Sequence, residues 1–572
     1  MWLRLMPTVV FTLLVGPILA GVAMVLLPAF GYLPALGGET FSLAPWRELL
    51  DQPGLARSVS ISLASGLIAT AVSLAVVLLF LAAAADTRLD RWLRRAVSPL
   101  LALPHAAAAF GLAFLIAPSG LMARLFSPGA TGWERPPDLL IVQDSWGLSL
   151  MAGLIIKELP FLMLMSLAAL PQLDAPRRVA LARSLGYRPT IAWLKTVAPA
   201  LYPLIRLPVY AVIAFASSVV DVAMILGPTL PPTLAVSILE WFHDPDLEKR
   251  FLASAGAVLQ LGVTLTALLI WWGLECLARR LGRGWVVNGQ RRGGERWLHL
   301  TGRGSLVITT LTAGLGLGGL ALYSVAGFWR FPDALPTTLT LGHWQTALPL
   351  LGGPVTTTLT IAASATLLAM LLTLAVLENE QRGGRRPGVN GPLPAPGRRI
   401  TAMNLLYLPL IVPQIAFLFG LVVLLEALGI RARLPLVIFA HLLFVLPYVF
   451  LSMAESYRRF DPRWTRLALT LGHSRNGAFW RVRLPMLLAP LLTATAVGMA
   501  ISIGQYLPTL LLGAGRIATV TTEAVSLASG GNRRVIGVWA LVQASLPLLG
   551  FIIAMGLPRL LWSNRRGMRG AP

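Results

Sequence analysis

The chain has 572 residues, 56% of them hydrophobic, with 47 Lys and Arg against 24 Asp and Glu. A mean hydropathy of +0.73 excludes an ordinary soluble protein and indicates an integral membrane protein. The formal charge of +23 could suit a nucleic-acid-binding protein, but the basic residues fall between apolar segments, which favours membrane topology instead.

Twelve apolar segments predict twelve membrane-spanning helices, six in each half of the chain. The first six lie near residues 7–28, 59–82, 97–118, 147–170, 201–227 and 252–275. The second six lie near 304–326, 355–377, 403–425, 435–455, 489–513 and 535–561. The first segment is too long for a signal peptide and leads into further spans, so we interpret it as an uncleaved helix.

A stretch of about 30 residues occurs twice, as a first basic loop (174–203) and a second basic loop (460–490). The matching positions are Pro176 with Pro462, Gly186 with Gly472, Trp193 with Phe479, and Pro199 with Pro485, each pair 286 residues apart. A constant offset of this length predicts two homologous domains. They are residues 1–285 and 304–572, joined by a basic linker, residues 286–303.

Each basic loop predicts two short helices. Gly186 and Gly472 suit a helix end that needs a left-handed residue, and Pro199 and Pro485 are predicted to end the second short helix. Trp193 and Phe479 are predicted to project large apolar rings among arginines. One interpretation is an amphipathic turn at the membrane surface, but two matching copies favour two equivalent docking sites for a partner.

The pattern in both loops resembles the cytoplasmic EAA loop of ABC-importer permeases: E-A-A, a glycine four positions on, an aromatic residue seven later, then a proline. Ala180-Leu181-Ala182 and Arg466-Leu467-Ala468 stand at the E-A-A positions, so both copies lack the glutamate. The resemblance implies a type I ABC importer fold. It also implies that Ala182, Gly186, Trp193 and Pro199, and Ala468, Gly472, Phe479 and Pro485, belong to coupling helices that dock in a groove of a separate ATPase subunit. The missing glutamates put one salt bridge to that subunit in doubt.

The basic residues also predict orientation. One set of loops and both ends carry 33 of the Lys and Arg, whereas the opposite loops carry 12. The positive-inside rule therefore predicts that both termini and both basic loops face the cytoplasm.

ATP hydrolysis is not expected in this chain. A phosphate-binding loop needs Gly-Lys-Ser/Thr, and Lys157, Lys195 and Lys249 all lack the glycine. We therefore expect no enzyme activity, cofactor or metal in the chain, with ATP and Mg²⁺ on a partner. The alternative is an ion-coupled secondary transporter, which also uses internal repeats but needs membrane-embedded ionisable groups.

The family resemblance implies that the fifth span of each half lines the translocation path. Ser218 and Asp221 stand there in the first half, and Gln505 and Tyr506 in the second. Because an acid in hydrocarbon is costly, we expect Asp221 to face the interior or water, unless a neighbouring helix binds it as a purely structural group. Our hypothesis is that Asp221 and Gln505 form a polar gate, with Lys157 or Glu158 as a candidate partner of Asp221.

The resemblance covers nearly the whole chain and extends to the fused permeases of thiamine and ferric-iron importers and to YnjC-like permeases. The segments Val219–Pro228 and Gln505–Gly515 carry it. It implies a bacterial inner-membrane permease that works by alternating access with two ATPase subunits. A periplasmic binding protein would dock on the outer loops 228–251 and 513–534. Asp221 suggests a small cation such as thiamine as the substrate.

Overall fold

A computed structural model describes residues 2–83, 91–93, 100–291, 295–382, 406–530 and 532–561. Within these ranges the regular elements are helices, apart from two isolated β-bridges, Leu33 with Gly38 and Ala326 with Leu339. The all-α fold class is therefore confirmed.

The first half contains helices of very unequal length. Its helices are α1 (Met6–Ala29), α2 (Ala44–Leu50), α3 (Leu55–Ala83), α4 (His105–Ile116), α5 (Leu121–Phe126), α6 (Leu148–Ala169), α7 (Ala175–Ser184), α8 (Pro189–Thr196), α9 (Ala198–Ser218), α10 (Asp221–Leu226), α11 (Leu234–Phe242) and α12 (Lys249–Val287). The long helices are those predicted to span the membrane.

The second half repeats this order. Its helices are α13 (Glu295–Val325), α14 (Gly342–Arg382), α15 (Leu408–Ile411), α16 (Gln414–Ala427), α17 (Leu434–Arg458), α18 (Pro462–Thr470), α19 (Arg475–Ala478), α20 (Leu484–Met486), α21 (Leu488–Ile503), α22 (Leu507–Gly513), α23 (Val520–Ser526) and α24 (Arg533–Leu561). A π-helical turn, Phe479–Arg483, joins α19 to α20.

Each of the twelve predicted spans contains a helix. Among the described residues, nine single helices, and α4 and α5 taken together (His105–Phe126), are long and apolar enough to cross a membrane. An eleventh span is α21, which follows the turns before it at a bend of 74°. The twelfth, α16, has only 14 residues because Pro413 immediately precedes it and ends the run of helix before it.

The two halves interlock through glycine contacts. Helix α1 packs on α16, where a Cβ added to Gly21 would lie 2.1 Å from the carbonyl oxygen of Phe417. Helix α13 packs on α4 in the same way, where a Cβ added to Gly316 would lie 2.9 Å from the carbonyl carbon of Gly111. Only glycine allows backbones to approach so closely. The first span of each half is thus buried against the third span of the other.

The pair Gly314 and Gly318 has the spacing that often permits close helix packing, but Gly316 is the residue that makes the contact. No described residue lies within 4 Å of a Cβ built at Gly314 or Gly318. Residues two apart on a helix point to nearly opposite sides, so a contact through Gly316 leaves the other two outside it.

The fifth span of each half is broken at the same place. Helix α9 ends at Ser218 and α10 begins at Asp221, while α21 ends at Ile503 and α22 begins at Leu507. Beyond each break the chain forms another short helix, α11 or α23, whose apolar residues are buried. The segments predicted to be outer loops therefore contribute to the protein core as well as to its surface.

Candidate coupling loops and central polar cluster

The first basic loop contains α7 and α8, joined by a left-handed turn. Gly186 has φ +86°, and its N–H donates to the carbonyl of Arg183. This confirms the predicted glycine at the end of a helix. Pro199 was predicted to end α8, but α8 ends at Thr196 and Pro199 lies in the first turn of α9, where proline loses no hydrogen bond.

The second basic loop has the same order of elements. Gly472 has φ +85°, close to that of Gly186, and ends the run that begins with α18. Asp461 caps α18 by accepting a hydrogen bond from the N–H of Arg463 at 2.9 Å. Pro485 again lies in the first turn of a helix, α20, so the prediction that it ends one is also wrong.

The second alanine of each EAA-like triplet is buried. Ala182 and Ala468 are both buried. Trp193 is also buried, with 8% of its surface exposed, and packs in a core cluster with Leu201 and Ile205. The prediction that its ring projects from the loop is wrong, because the ring has an apolar core to enter. Phe479 is half-buried, and the ring that projects in the second loop belongs to its neighbour Trp480, which is 65% exposed.

Both loops also expose a leucine pair that we did not single out from the sequence. Leu181 and Leu185 in α7 and at its end, and Leu467 and Leu471 in and after α18, are between 51% and 72% exposed. The pairs are again 286 residues apart, and a spacing of four places both leucines on one face. An i, i+4 leucine spacing beside arginines was the available signal. The two loops thus present matching apolar faces beside matching glycines.

When α16 is counted as a span, six spans lie between the two basic loops, which places both loops on the same side of the bundle. A buried ion pair supports the second loop. Arg483 donates to the carboxylate of Glu378, which lies near the end of α14. The same carboxylate also accepts a hydrogen bond from the hydroxyl of Tyr457. Arg483 additionally donates to Thr465 Oγ1 at 3.1 Å, which ties α18 to this network.

A second group of polar residues lies where the two halves meet. We call His105, Lys157, Glu158, Asp221, Tyr448 and Tyr506 the central polar cluster. His105 Nε2 is 3.4 Å from Glu158 Oε1, and His105 also lies within electrostatic range of Asp221. The ring of Tyr448 is 6.3 Å from that of Phe161, and the hydroxyl of Tyr506 donates to Met224 Sδ at 3.6 Å. Side chains of the second half therefore reach α6 and α10, the helices that carry Glu158 and Asp221.

Lys157 and Glu158 both have partners other than Asp221, so the expected pairing is wrong. Lys157 Nζ donates to the carbonyls of Leu101, at 2.9 Å, and Leu103. Its charge is thereby directed at the chain that precedes α4. Glu158, one residue further along α6, points elsewhere and meets His105. Asp221 is buried as the first residue of α10.

The remaining predicted pathway residues lie close to the broken spans. Ser218 is the last residue of α9 and donates to the carbonyl of Ala214 at 2.8 Å, within its own helix. Gln505 lies in the break of the eleventh span and is half-buried. Among the described residues no hydrogen bond joins Asp221 to Gln505. The 286-residue offset pairs Asp221 with Leu507, so the acid has an apolar counterpart.

The second half contains a polar bridge through one histidine where the first half contains charged residues. His441 in α17 hydrogen-bonds to Ser502 Oγ through Nδ1 and to Thr509 Oγ1 through Nε2, each at 2.8 Å. These hydroxyls lie on the two sides of the break, so His441 connects α21 with α22. Nothing next to His441 in the sequence indicates this bridge.

At the opposite end, the predicted outer loops include two ion pairs. Arg250 contacts Glu426 at 2.8 Å and so links the first half to the second. Lys249 contacts Asp244 at 2.6 Å, and this hydrogen bond holds the pKa of the Asp244 carboxyl below its usual value. Both pairs are partly exposed, so each is expected to contribute little to stability.

Comparison with known proteins identifies the family to which the chain belongs. A family model described as "Binding-protein-dependent transport system inner membrane component" matches residues 398–559. Over 559 residues the chain is 31% identical to the inner membrane ABC transporter permease protein YnjC of Escherichia coli (strain K12), covering 96% of this chain and 97% of that protein. It is 25% identical over 233 residues to the spermidine/putrescine transport system permease protein PotC homolog of Mycoplasma pneumoniae (strain ATCC 29342 / M129 / Subtype 1), covering 40% of this chain and 74% of that protein. The chain therefore belongs to the inner-membrane permeases of ABC transporters and is a multi-pass transport subunit, not an enzyme.

Proposed function

We propose that this chain is the complete permease of a bacterial ABC importer, with its two halves replacing the usual permease dimer. Two copies of an ATPase subunit, which carry ATP and Mg²⁺, dock on the two basic loops from the cytoplasm. A periplasmic binding protein delivers the substrate to the opposite face. ATP binding draws the ATPases together, and the basic loops transmit that closure to the spans, which alternate in access.

The observation that most supports this proposal is the duplication of one small docking surface. Each basic loop combines a left-handed glycine with two exposed leucines on one helical face, and both loops emerge on the same side. Exposed apolar side chains at matched positions are typical of a binding surface, because water alone gives no reason to retain them twice. An ion-coupled transporter has no need of two such surfaces.

We propose that the substrate is a small cation, such as thiamine. Two buried carboxylates, Glu158 and Asp221, belong to the central polar cluster, whereas the one lysine there is held by backbone carbonyls. The tyrosines of the cluster add aromatic faces, which attract cations. The partial relative from Mycoplasma pneumoniae is named for spermidine and putrescine, which are also cations.

Reconstitution in proteoliposomes tests both parts. The permease, its ATPase and its binding protein should take up a cationic substrate only when ATP is supplied inside. Asp221→Ala and the shape-preserving Asp221→Asn should each abolish uptake while the ATPase still co-purifies and hydrolyses ATP. Uptake on an ion gradient by the permease alone would overturn the ABC importer; unchanged uptake in both variants would remove Asp221 from the pathway.

A further inference from the structure

The linker between the halves contacts the first basic loop through several polar bonds of its described residues, 286–291 and 295–303. The N–H of Arg188 donates to the carbonyl of Arg291 at 3.2 Å, and Lys195 Nζ donates to Asn288 Oδ1 at 2.9 Å. Thr190 Oγ1 forms a hydrogen bond with His299 Nε2 in the first turns of α13. A segment that we predicted to be a simple connection therefore packs against a candidate docking site, and from Glu295 onward it is helical.

Glu295 of this linker caps α8, which the first loop does not cap with a side chain of its own. Its Oε1 accepts a hydrogen bond from the N–H of Thr190 at 3.2 Å, in the first turn of α8. The residue at the N-cap of α8 is Arg188, and a guanidinium carries only donors, so it cannot accept from a helical N–H. A carboxylate there also interacts favourably with the helix dipole. Glu295 thus caps α8 from outside the loop.

The second loop caps its own helix. Ser474, 286 residues after Arg188, accepts a hydrogen bond on Oγ from the N–H of Gly477 at 3.0 Å. The linker also lies next to the glycine of the first loop, whereas the glycine of the second loop has no such neighbour among the described residues. A Cβ built at Gly186 would lie 3.5 Å from Cδ of Arg291, whereas no described residue lies within 4 Å of one built at Gly472.

We propose that the linker is part of the first docking site, so that the two sites are inequivalent. Glu295 is a positioning residue that fixes α8 and, through it, the docking face of the first loop. The ATPase subunit on that face also meets the linker, at Arg291 beside Gly186 and at the 75%-exposed Trp297. The second site depends on its own serine. The identity of the docked partner rests on the proposed function, whereas the support of α8 by Glu295 does not.

Hydrogen exchange on the purified full chain tests the support without any partner. Loss of one helix cap should speed amide exchange about fivefold, in α8 for Glu295→Ala and in α19 for Ser474→Ala. Each variant should leave the other loop unchanged, and Glu295→Gln, which keeps an acceptor oxygen, should restore most of the protection. Equal exchange in α8 of the unaltered chain and of Glu295→Ala would overturn the proposal.

Cross-linking then tests the docking. Ser184→Cys and Thr470→Cys, at exposed and equivalent positions in a Cys276→Ser background, report contact of the ATPase with the first and second loop separately. Glu295→Ala should lower the cross-link at position 184 and leave that at position 470 unchanged. An equal reduction at both positions, or none, would overturn the inequivalence. Failure of both cysteines to cross-link in the otherwise unaltered chain would instead contradict the proposed function.

Discussion

The two basic loops present similar surfaces, but different contacts hold those surfaces in place. Each presents a glycine with φ near +85° and an exposed leucine pair, in the same order and at the same spacing. The second loop caps itself through Ser474 and is held by the buried pair of Arg483 and Glu378. The first is capped by Glu295 of the linker. Similar faces can therefore be held in place by unrelated contacts.

The largest effect should follow from a side chain at the shared glycines. Gly186→Asp or Gly472→Asp places a residue in left-handed backbone, at a cost of about 1–2 kcal/mol, and adds a charge to the docking face. We expect loss of ATPase in a detergent pull-down and loss of uptake. Gly429→Asp is the matched control, because Gly429 also has positive φ, at +68°, but lies in an outer loop. Normal retention and uptake in both loop variants would contradict the shared role.

The contacts that support the two loops can be compared by how much stability the protein loses when each is removed. Glu378→Ala leaves Arg483 buried without its carboxylate, which should destabilise the protein by about 3–5 kcal/mol. Asn288→Ala removes the acceptor of Lys195 in the first loop, but the rings of Tyr187 and Trp285, each about 5 Å from Nζ, remain. Thermal unfolding in detergent should show a clearly larger decrease for Glu378→Ala. The reverse order would mean that the linker is the stronger support.

A smaller effect is expected from the leucine pairs. Leu181→Ser with Leu185→Ser, or Leu467→Ser with Leu471→Ser, removes apolar area from one docking face, and affinity for the ATPase should fall by about tenfold or more. Folding should be unaffected because these side chains are exposed. Leu335→Ser, at an exposed leucine of an outer loop, is the control. If only one of the two double substitutions lowered the affinity, the two docking faces would differ in function although their structures are similar.

Much of the fold could be predicted because its signals are local. Apolar length predicted twelve spans, each of which contains a helix, and ten or eleven of these are long enough to cross a membrane. The left-handed turns at Gly186 and Gly472 follow from the backbone conformation that glycine adopts most easily. The short α16 differed because Pro413 limits it. The contact at Gly316 could not be chosen over Gly314 and Gly318, since the partner helix comes from about 200 residues earlier in the chain.

The site was harder to predict, because its decisive contacts are long-range. Nothing next to Trp193 in the sequence shows that a core lies under its ring, and nothing near Glu295 shows that it reaches Thr190. The partners of Lys157 depend on where α4 begins relative to α6. The leucine pairs were the exception. Their spacing was present in the sequence, although attention went to the aromatic residues.

The glycine contacts between halves have one more consequence. Since α1 lies on α16 and α13 lies on α4, residues 1–285 alone would leave two complementary faces uncovered, one around Gly21 and one around Gly111. A separated half could bury both by pairing with a second half about a two-fold axis, with the first span of each on the third span of the other. The first span of each half therefore packs with the helices of the other half. The domain boundary along the chain does not coincide with the boundary between the two packed units in space.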